Sequence, residues 1–298
     1  MKSEINIENL VLKEILYQFH EQLDELYGKE EVDSFFGLLM DHYLKLKRIH
    51  LVLHPKYEIE AENGQLFLDA LSQLKSYVPI QYIIGETEFY GLRLKVNPNT
   101  LIPRPETEEL VDWIVTCHLD QDKISQLKIL DIGSGTGCIA ISLAKHLSNA
   151  NVSAVDVSEA ALKTATQNAE LNQVEVNFLD CSILHKTAWA AQFSNQKFDV
   201  IVSNPPYVRH LEKSEIQPNV LDNEPHLALF VDDVNPLQFY KAICEFAQHY
   251  LKIGGMLYVE INAYLGAEML ALFQEFGFND PVLRKDLFGK NRMICARH

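Results

Sequence analysis

From Lys128 onward the chain alternates short apolar runs with amphipathic ones, and this alternation restricts the fold more than any other feature. "LKILDIG", "VSAVDV", "VEVNFLD", "FDVIVSN" and "GGMLYVEI" read as strands. "CIAISLAKHL", "SEAALKTATQNAELN", "LQFYKAICEFAQHYL" and "GAEMLALFQEFGF" read as helices, with Ser158 placed to cap the second. Strands that are apolar nearly throughout are covered on both faces, and strand–helix alternation makes neighbouring strands parallel. The pattern predicts an α/β, Rossmann-like domain over residues 105–298. The last two runs, "PVLRKDL" and "NRMICARH", read as a closing antiparallel pair.

The first part of the chain has a different period. Val11, Ile15, Phe19 and Leu23 recur every four residues, with Leu12, Leu16 and Leu26 widening the stripe. "VDSFFGLLMDHYLKL" and "NGQLFLDALSQL" continue in that style, so residues 1–78 are expected to form a small helical domain. His50 and His54 stand four apart, a spacing that suits a helical metal pair. With a proline next and no third ligand nearby, they read as surface or packing residues, and no metal is expected. Residues 79–104 read as a linker containing a hairpin, "TEFYGLRLKVNP", followed by a helix from about Pro105 to His118 with proline in its first turn.

Charge and cysteine content narrow the function. The net charge is −15, and residues 1 to 77 are themselves net acidic, against the basic field that phosphate binding wants. Five cysteines without a CxxC suit neither a disulfide framework nor a zinc site. The first residues lack an apolar signal core, and no window approaches a membrane span, so a cytoplasmic location is expected.

Two stretches carry chemistry. In "LDIGSGTGCIA" the first strand turns into the first helix through Gly133, Ser134, Gly135, Thr136 and Gly137, at the ligand crevice of a doubly wound sheet. The spacing is G-x-G-x-G, not the G-x-G-x-x-G of dinucleotide binders. Asp131, just before it, suits a ligand with positive charge and no phosphate, such as S-adenosylmethionine. Asp156 closes the second strand and is placed to accept ribose hydroxyls. Asp180 or Cys181 closes the third, beside the adenine. The alternative is a glycine-rich turn with capping aspartates and no ligand.

The second stretch is "VSNPPYV", at the end of the fourth strand. A planar –NH2 group is a weak nucleophile because its lone pair is delocalised. Two rigid acceptors on its two hydrogens hold it and favour charge on nitrogen. Asn204 offers a side-chain carbonyl, Pro205 a backbone carbonyl, Pro206 rigidity and Tyr207 an aromatic face. A strand merely stopped by prolines is the alternative.

Asn-Pro-Pro-Tyr after a G-x-G-x-G strand resembles methyltransferases acting on planar amino groups: adenine N6, guanine N2 or the glutamine amide. "PIQYIIGETEFYGLRLKVNPNTLIPRPETEELV", "NEPHLALF" and "KDLFGKNR" resemble one branch, the release-factor glutamine N5-methyltransferases of the PrmC or HemK type, over nearly the whole chain. The resemblance implies a seven-stranded class I domain behind a helical domain that grips a class 1 peptide-chain release factor. The implied reaction moves a methyl group from S-adenosylmethionine to the glutamine of the factor's Gly-Gly-Gln tip. It further implies that Gly133–Gly137 line the methionine end, Asp156 holds the ribose, and Asn204–Tyr207 hold the amide. It also puts the Arg104–Thr107 turn against the cofactor. Two departures stand out: Glu260-Ile261-Asn262-Ala263-Tyr264 replaces Glu-x-Gly-x-x-Gln, and Cys181 stands where some relatives carry an aromatic. The rivals are an amino-methyltransferase of DNA or RNA and a non-catalytic scaffold keeping the fold.

Overall fold

The computed structural model describes residues 10–123, 125–194 and 196–298. Residues 1–9, which the helical reading includes, lie outside the described residues. The chain divides into two compact units, one ending at Gly85 and including Pro218–Asn223, the other made of Glu86–Gln217 and Glu224–His298.

The first unit is built from helices Leu12–Tyr27, Lys29–Leu39 and Ala61–Lys75, with shorter ones at Ile49–Leu53 and Ile80–Ile84. Its buried stripe is Leu12, Ile15, Phe19 and Leu23. Val11 is extended instead and pairs with Glu58, while Leu26 is 42% exposed, so the helix begins one residue later than its apolar period suggests. Phe19 meets Phe36 edge-on at 5.1 Å, with Val32, Leu39, Phe67 and Leu71 around them. Burying each such side chain contributes about 1.5–3 kcal/mol.

The second unit opens with a hairpin, Glu86–Phe89 against Leu92–Lys95. Its two-residue turn needs positive φ twice, and Tyr90 (48°) and Gly91 (73°) supply it. Helix α1 (Pro105–Asp122) has proline in its first turn and runs four residues past the predicted end. Within it His118 is buried, and its Nε2 lies 3.1 Å from the Tyr258 hydroxyl.

Seven strands follow: β1 (Lys128–Ile132), β2 (Asn151–Asp156), β3 (Asn177–Asp180), β4 (Phe198–Ser203), β5 (Leu251–Glu260), β6 (Asn279–Lys285) and β7 (Asn291–Arg297). They form one sheet in the order 6-7-5-4-1-2-3, with β7 antiparallel to both neighbours and β1 to β5 parallel. Between them lie α2 (Cys138–His146), α3 (Glu159–Asn172), α4 (Lys186–Phe193), α5 (Gln238–Tyr250) and α6 (Gly266–Glu275). Alternate strand residues feed opposite layers: Leu130, Ile132, Ile201 and Leu257 on one face, Ile129, Val152, Val200 and Val202 on the other. The sequence reading missed α4, which has no helical stripe. It is held by Trp189 and Phe193, packed on Phe246 at 5.2 and 5.4 Å.

The topology sets the site. The chain leaves β1 toward β2 and β3, then returns to β4 on β1's other side. Such a reversal opens a crevice beyond the strands' carboxyl ends. There the Ser203 hydroxyl donates to the Ile132 carbonyl at 2.6 Å, fastening the ends of β4 and β1 together.

Candidate active site

Gly133 to Gly137 turn β1 into α2. Gly137 has φ +80°, and a Cβ there would lie 2.8 Å from Ile141 Cδ1 and 3.1 Å from Ala165 Cβ. Only glycine allows both that conformation and that approach of α2 to α3. The Gly133 and Ser134 amides donate to the Val155 carbonyl at 2.9 and 3.0 Å. Asp156, at the tip of β2, completes the tie: Oδ2 accepts from the Gly135 amide at 2.8 Å and Oδ1 from the Ser158 amide at 2.9 Å.

The cleft above this loop is walled by Gly133, Gly135, Asp156, Cys181, Asn204, Pro205 and Pro206. Of the other residues singled out in the sequence, Ser134 and Thr136 are turned inward (4% and 2% exposed), and Gly137 packs between helices. Asp180 is exposed and off the wall, so at the end of β3 it is Cys181 that faces the cleft. Cys181 shares an apolar side with Ile183, Phe239 and Ile243. Phe239 carried no signal in the sequence beyond its place in a helical run.

Asp131 is not on the wall either. It is fully buried behind the loop, and among the described residues no group meets full hydrogen-bonding geometry with either carboxylate oxygen, the Ala140 backbone being turned toward it. Burial raises its pKa to about 7, with the Asp156 charge adding to the rise and the Ala140 backbone opposing it. Between about pH 4 and this value the folded protein holds a proton that the unfolded chain has lost. Stability from this group therefore falls as pH rises, by roughly 1.4 kcal/mol per unit. Asp131→Asn is expected to flatten that part of the stability profile, as read by denaturant unfolding at pH 5 and pH 8.

These features fit S-adenosylmethionine. Among the described residues no Lys or Arg lines the cleft and a buried acid without a hydrogen-bonding partner lies behind the loop; a carboxylate stands at the tip of β2, and one side is apolar. The fit is to a cationic ligand with a sugar and a flat ring, not to a phosphate.

Beyond Pro206 the wall changes sides. Tyr207 faces a neighbouring cavity, shared with Glu212, Asn262 and Arg292, not the cleft. Its hydroxyl donates to Glu260 Oε1 at 3.0 Å. Thr107, in the first turn of α1, donates to Glu260 Oε2 at 2.7 Å. The Asn204 Nδ2 group donates to Thr107 Oγ1 at 3.1 Å. Burial pushes the Glu260 pKa up, while the Thr107 and Tyr207 hydrogen bonds and the Arg292 charge pull it down. The Tyr207 pKa lies well above the ordinary phenol value, through burial first and the Glu260 charge second. Asn262 stands where the resemblance expects glycine. Its Oδ1 accepts from the Tyr264 amide at 2.9 Å, and its Nδ2 donates to the Tyr207 carbonyl at 3.0 Å. It thus both starts the turn into α6 and anchors Tyr207.

A buried carboxylate holds the segment entering α1. Glu224 accepts from the Ile102 amide at 3.1 Å and from Arg104 at 2.5 Å. Neighbouring Asn99, Thr100 and Leu101 line the cleft. Glu224→Ala is expected to cost about 1–3 kcal/mol, because it leaves a buried amide unpaired. Thermal unfolding with and without cofactor measures this, and the ligand-induced gain in Tm should shrink as well.

Comparison with known proteins gives the family. The family described as "PrmC N-terminal domain" matches residues 14–85, and "Methyltransferase small domain" matches residues 114–227. The release factor glutamine methyltransferase of Flavobacterium psychrophilum is 50% identical over 96% of this chain and 98% of its own. The chain belongs to the release factor glutamine methyltransferase family. A second member of that name, from Bacteroides thetaiotaomicron, is 39% identical over 96% of this chain and 99% of its own. The fold extends further than the family. The N-terminal domain of human METTL16, solved in complex with SAH, is 16% identical, with a TM-score of 0.52 over 76% of this chain and 83% of that one. Among the described residues, no helix is long and apolar enough to cross a membrane.

Proposed function

We propose that this chain methylates the side-chain amide nitrogen (N5) of the glutamine in the Gly-Gly-Gln tip of class 1 peptide-chain release factors. The observation that carries this reading is the juxtaposition of a phosphate-averse cleft with the rigid Asn204-Pro205-Pro206-Tyr207 lip. Two relatives of that name, aligned along nearly the whole chain, support the choice of substrate.

When bound, S-adenosylmethionine supplies an electrophilic methyl group on a sulfonium. Gly133 and Gly135 let it approach the backbone, Asp156 accepts from its ribose, and Cys181, Phe239 and Ile243 cover its ring. Ser134, Thr136 and Gly137 shape the loop from behind, and Asp180 acts only through its neighbour Cys181. Asn204 Oδ1 and the Pro205 carbonyl accept the two amide hydrogens of the glutamine, and Pro206 stiffens the pair. Tyr207 bounds the substrate's side of the lip. The reacting nitrogen then gives up one proton to water.

Residues 1–78 form the unit that grips the release factor, and 79–104 carry the hairpin leading into the catalytic domain at 105–298. The exposed apolar residues Ile49, Val52 and Leu53 on one short helix support the gripping role. We place the protein in the cytoplasm, where release factors act and its cysteines stay reduced. Peptide mass spectrometry of a release factor, before and after incubation with enzyme and cofactor, tests the reading. One added methyl on the Gly-Gly-Gln glutamine is the expected result. Methyl transfer to tRNA, rRNA or DNA with none to the factor overturns it.

A further inference from the structure

We propose that Glu260, acting through Thr107, fixes which end of the Asn204 side-chain amide faces the substrate. The inference rests on the reading above, in which the acceptor Oδ1 must meet a substrate N–H.

The case is one of proton direction. Thr107 and Glu260 are both buried, 2% and 1% exposed, so water does not serve them. A hydroxyl has one proton, and a carboxylate has none to give. Glu260 accepts from Tyr207 on Oε1 and from Thr107 on Oε2. The Thr107 proton is therefore committed, and toward Asn204 its oxygen can only accept. At 3.1 Å the Asn204 group facing it must then be the –NH2 end. The carbonyl end is left for the cleft, where an amide substrate needs an acceptor. Without this chain the two ends of Asn204 are nearly the same size and shape, and the reversed orientation sets N–H against N–H. Three segments far apart in sequence meet here: the first turn of α1, the end of β4 and the end of β5. Thr107 and Glu260 are positioning residues and touch neither reactant.

Glu260→Gln probes the direction directly. Glutamine has a single carbonyl acceptor for two hydroxyl donors, so one of the two hydroxyls must reverse. If Thr107 reverses, its proton turns toward Asn204 and the amide flips. Thr107→Val removes the acceptor and keeps the shape, whereas Thr107→Ser keeps the hydroxyl.

The test is steady-state kinetics on a release factor with all three variants and the double variant Thr107→Val/Glu260→Gln, alongside calorimetry with S-adenosylmethionine. Thr107→Val is expected to lower kcat on the order of 10- to 100-fold, and Glu260→Gln by as much where Thr107 rather than Tyr207 is the hydroxyl that reverses. The release-factor KM and the cofactor Kd should stay within about threefold. Thr107→Ser should recover most of kcat, and the double variant should be no worse than the worse single one. Losses that multiply in the double variant, or a Thr107→Val enzyme within about twofold of wild type, overturn the proposal. Should the valine variant unfold, Thr107→Ala, which also removes the acceptor, carries the same comparison against Thr107→Ser. A readout without substrate separates this proposal from the reading beneath it. The Asn204 side-chain amide protons should exchange slowly in wild type and fast in Thr107→Val, as seen by NMR. Fast exchange in wild type overturns the orientation whatever the enzyme methylates, whereas slow exchange without release-factor methylation overturns only the substrate.

Discussion

Asn204→Ala is expected to lower turnover on a release factor by about 10²–10³-fold while leaving affinity for S-adenosylmethionine within a few-fold. The two effects separate because the residue stands at the meeting point of two sites. Toward the substrate it supplies one of two acceptors. Without it, the glutamine amide is held by a single carbonyl and can rotate out of line. Toward the cofactor it is one wall residue among many, and the glycine loop, Asp156 and the apolar side remain. Single-turnover kinetics together with calorimetry check both halves. A matching collapse of cofactor binding would make Asn204 mainly a cofactor ligand.

Asp156→Asn is expected to weaken cofactor binding by about 10²-fold, although the swap is nearly isosteric. Both carboxylate oxygens already accept backbone amides, one from Gly135 and one from Ser158. Asparagine can satisfy only one of them and must turn its –NH2 against the other. The loop then loses one of its fastenings to β2, and the ribose loses a charged acceptor at the same time. Alanine should do no worse than asparagine, because it removes the acceptors without adding a misplaced donor. Calorimetric titration of the three proteins checks the ranking, and an asparagine variant that binds like wild type would contradict it.

Much of this architecture was legible in the sequence, for reasons that differ by element. β1, β2 and β4 are apolar almost throughout and are bounded by glycine, aspartate or proline, so their ends could be read directly. The glycine loop and the Asn-Pro-Pro-Tyr lip were readable because their residue types are conformational demands in themselves. The shape of the wall was less accessible. Ser134, Thr136 and Asp180 neighbour true wall residues, but a side chain's direction at a strand tip depends on the turn that follows. Tyr207 was read as facing the substrate with its ring, whereas its hydroxyl donates to buried Glu260 on the other side. Glu260 and Thr107 lie 153 residues apart, and no local pattern announces such a pairing. The start of the first helix was misjudged by one residue because Val11 fits the apolar period yet is captured by pairing with Glu58.

The Ser203–Ile132 hydrogen bond joins residues 71 apart. Closing a loop of that length costs about 4 kcal/mol of chain entropy before any contact repays it. A chain emerging from the ribosome with β1 to β3 complete has its glycine loop but nothing able to hold an amide. The lip arrives only when β4 is laid beside β1, and it is steadied only when β5 brings Glu260 to Thr107. Competence is therefore assembled from three segments far apart in the chain, and no one of them carries it alone.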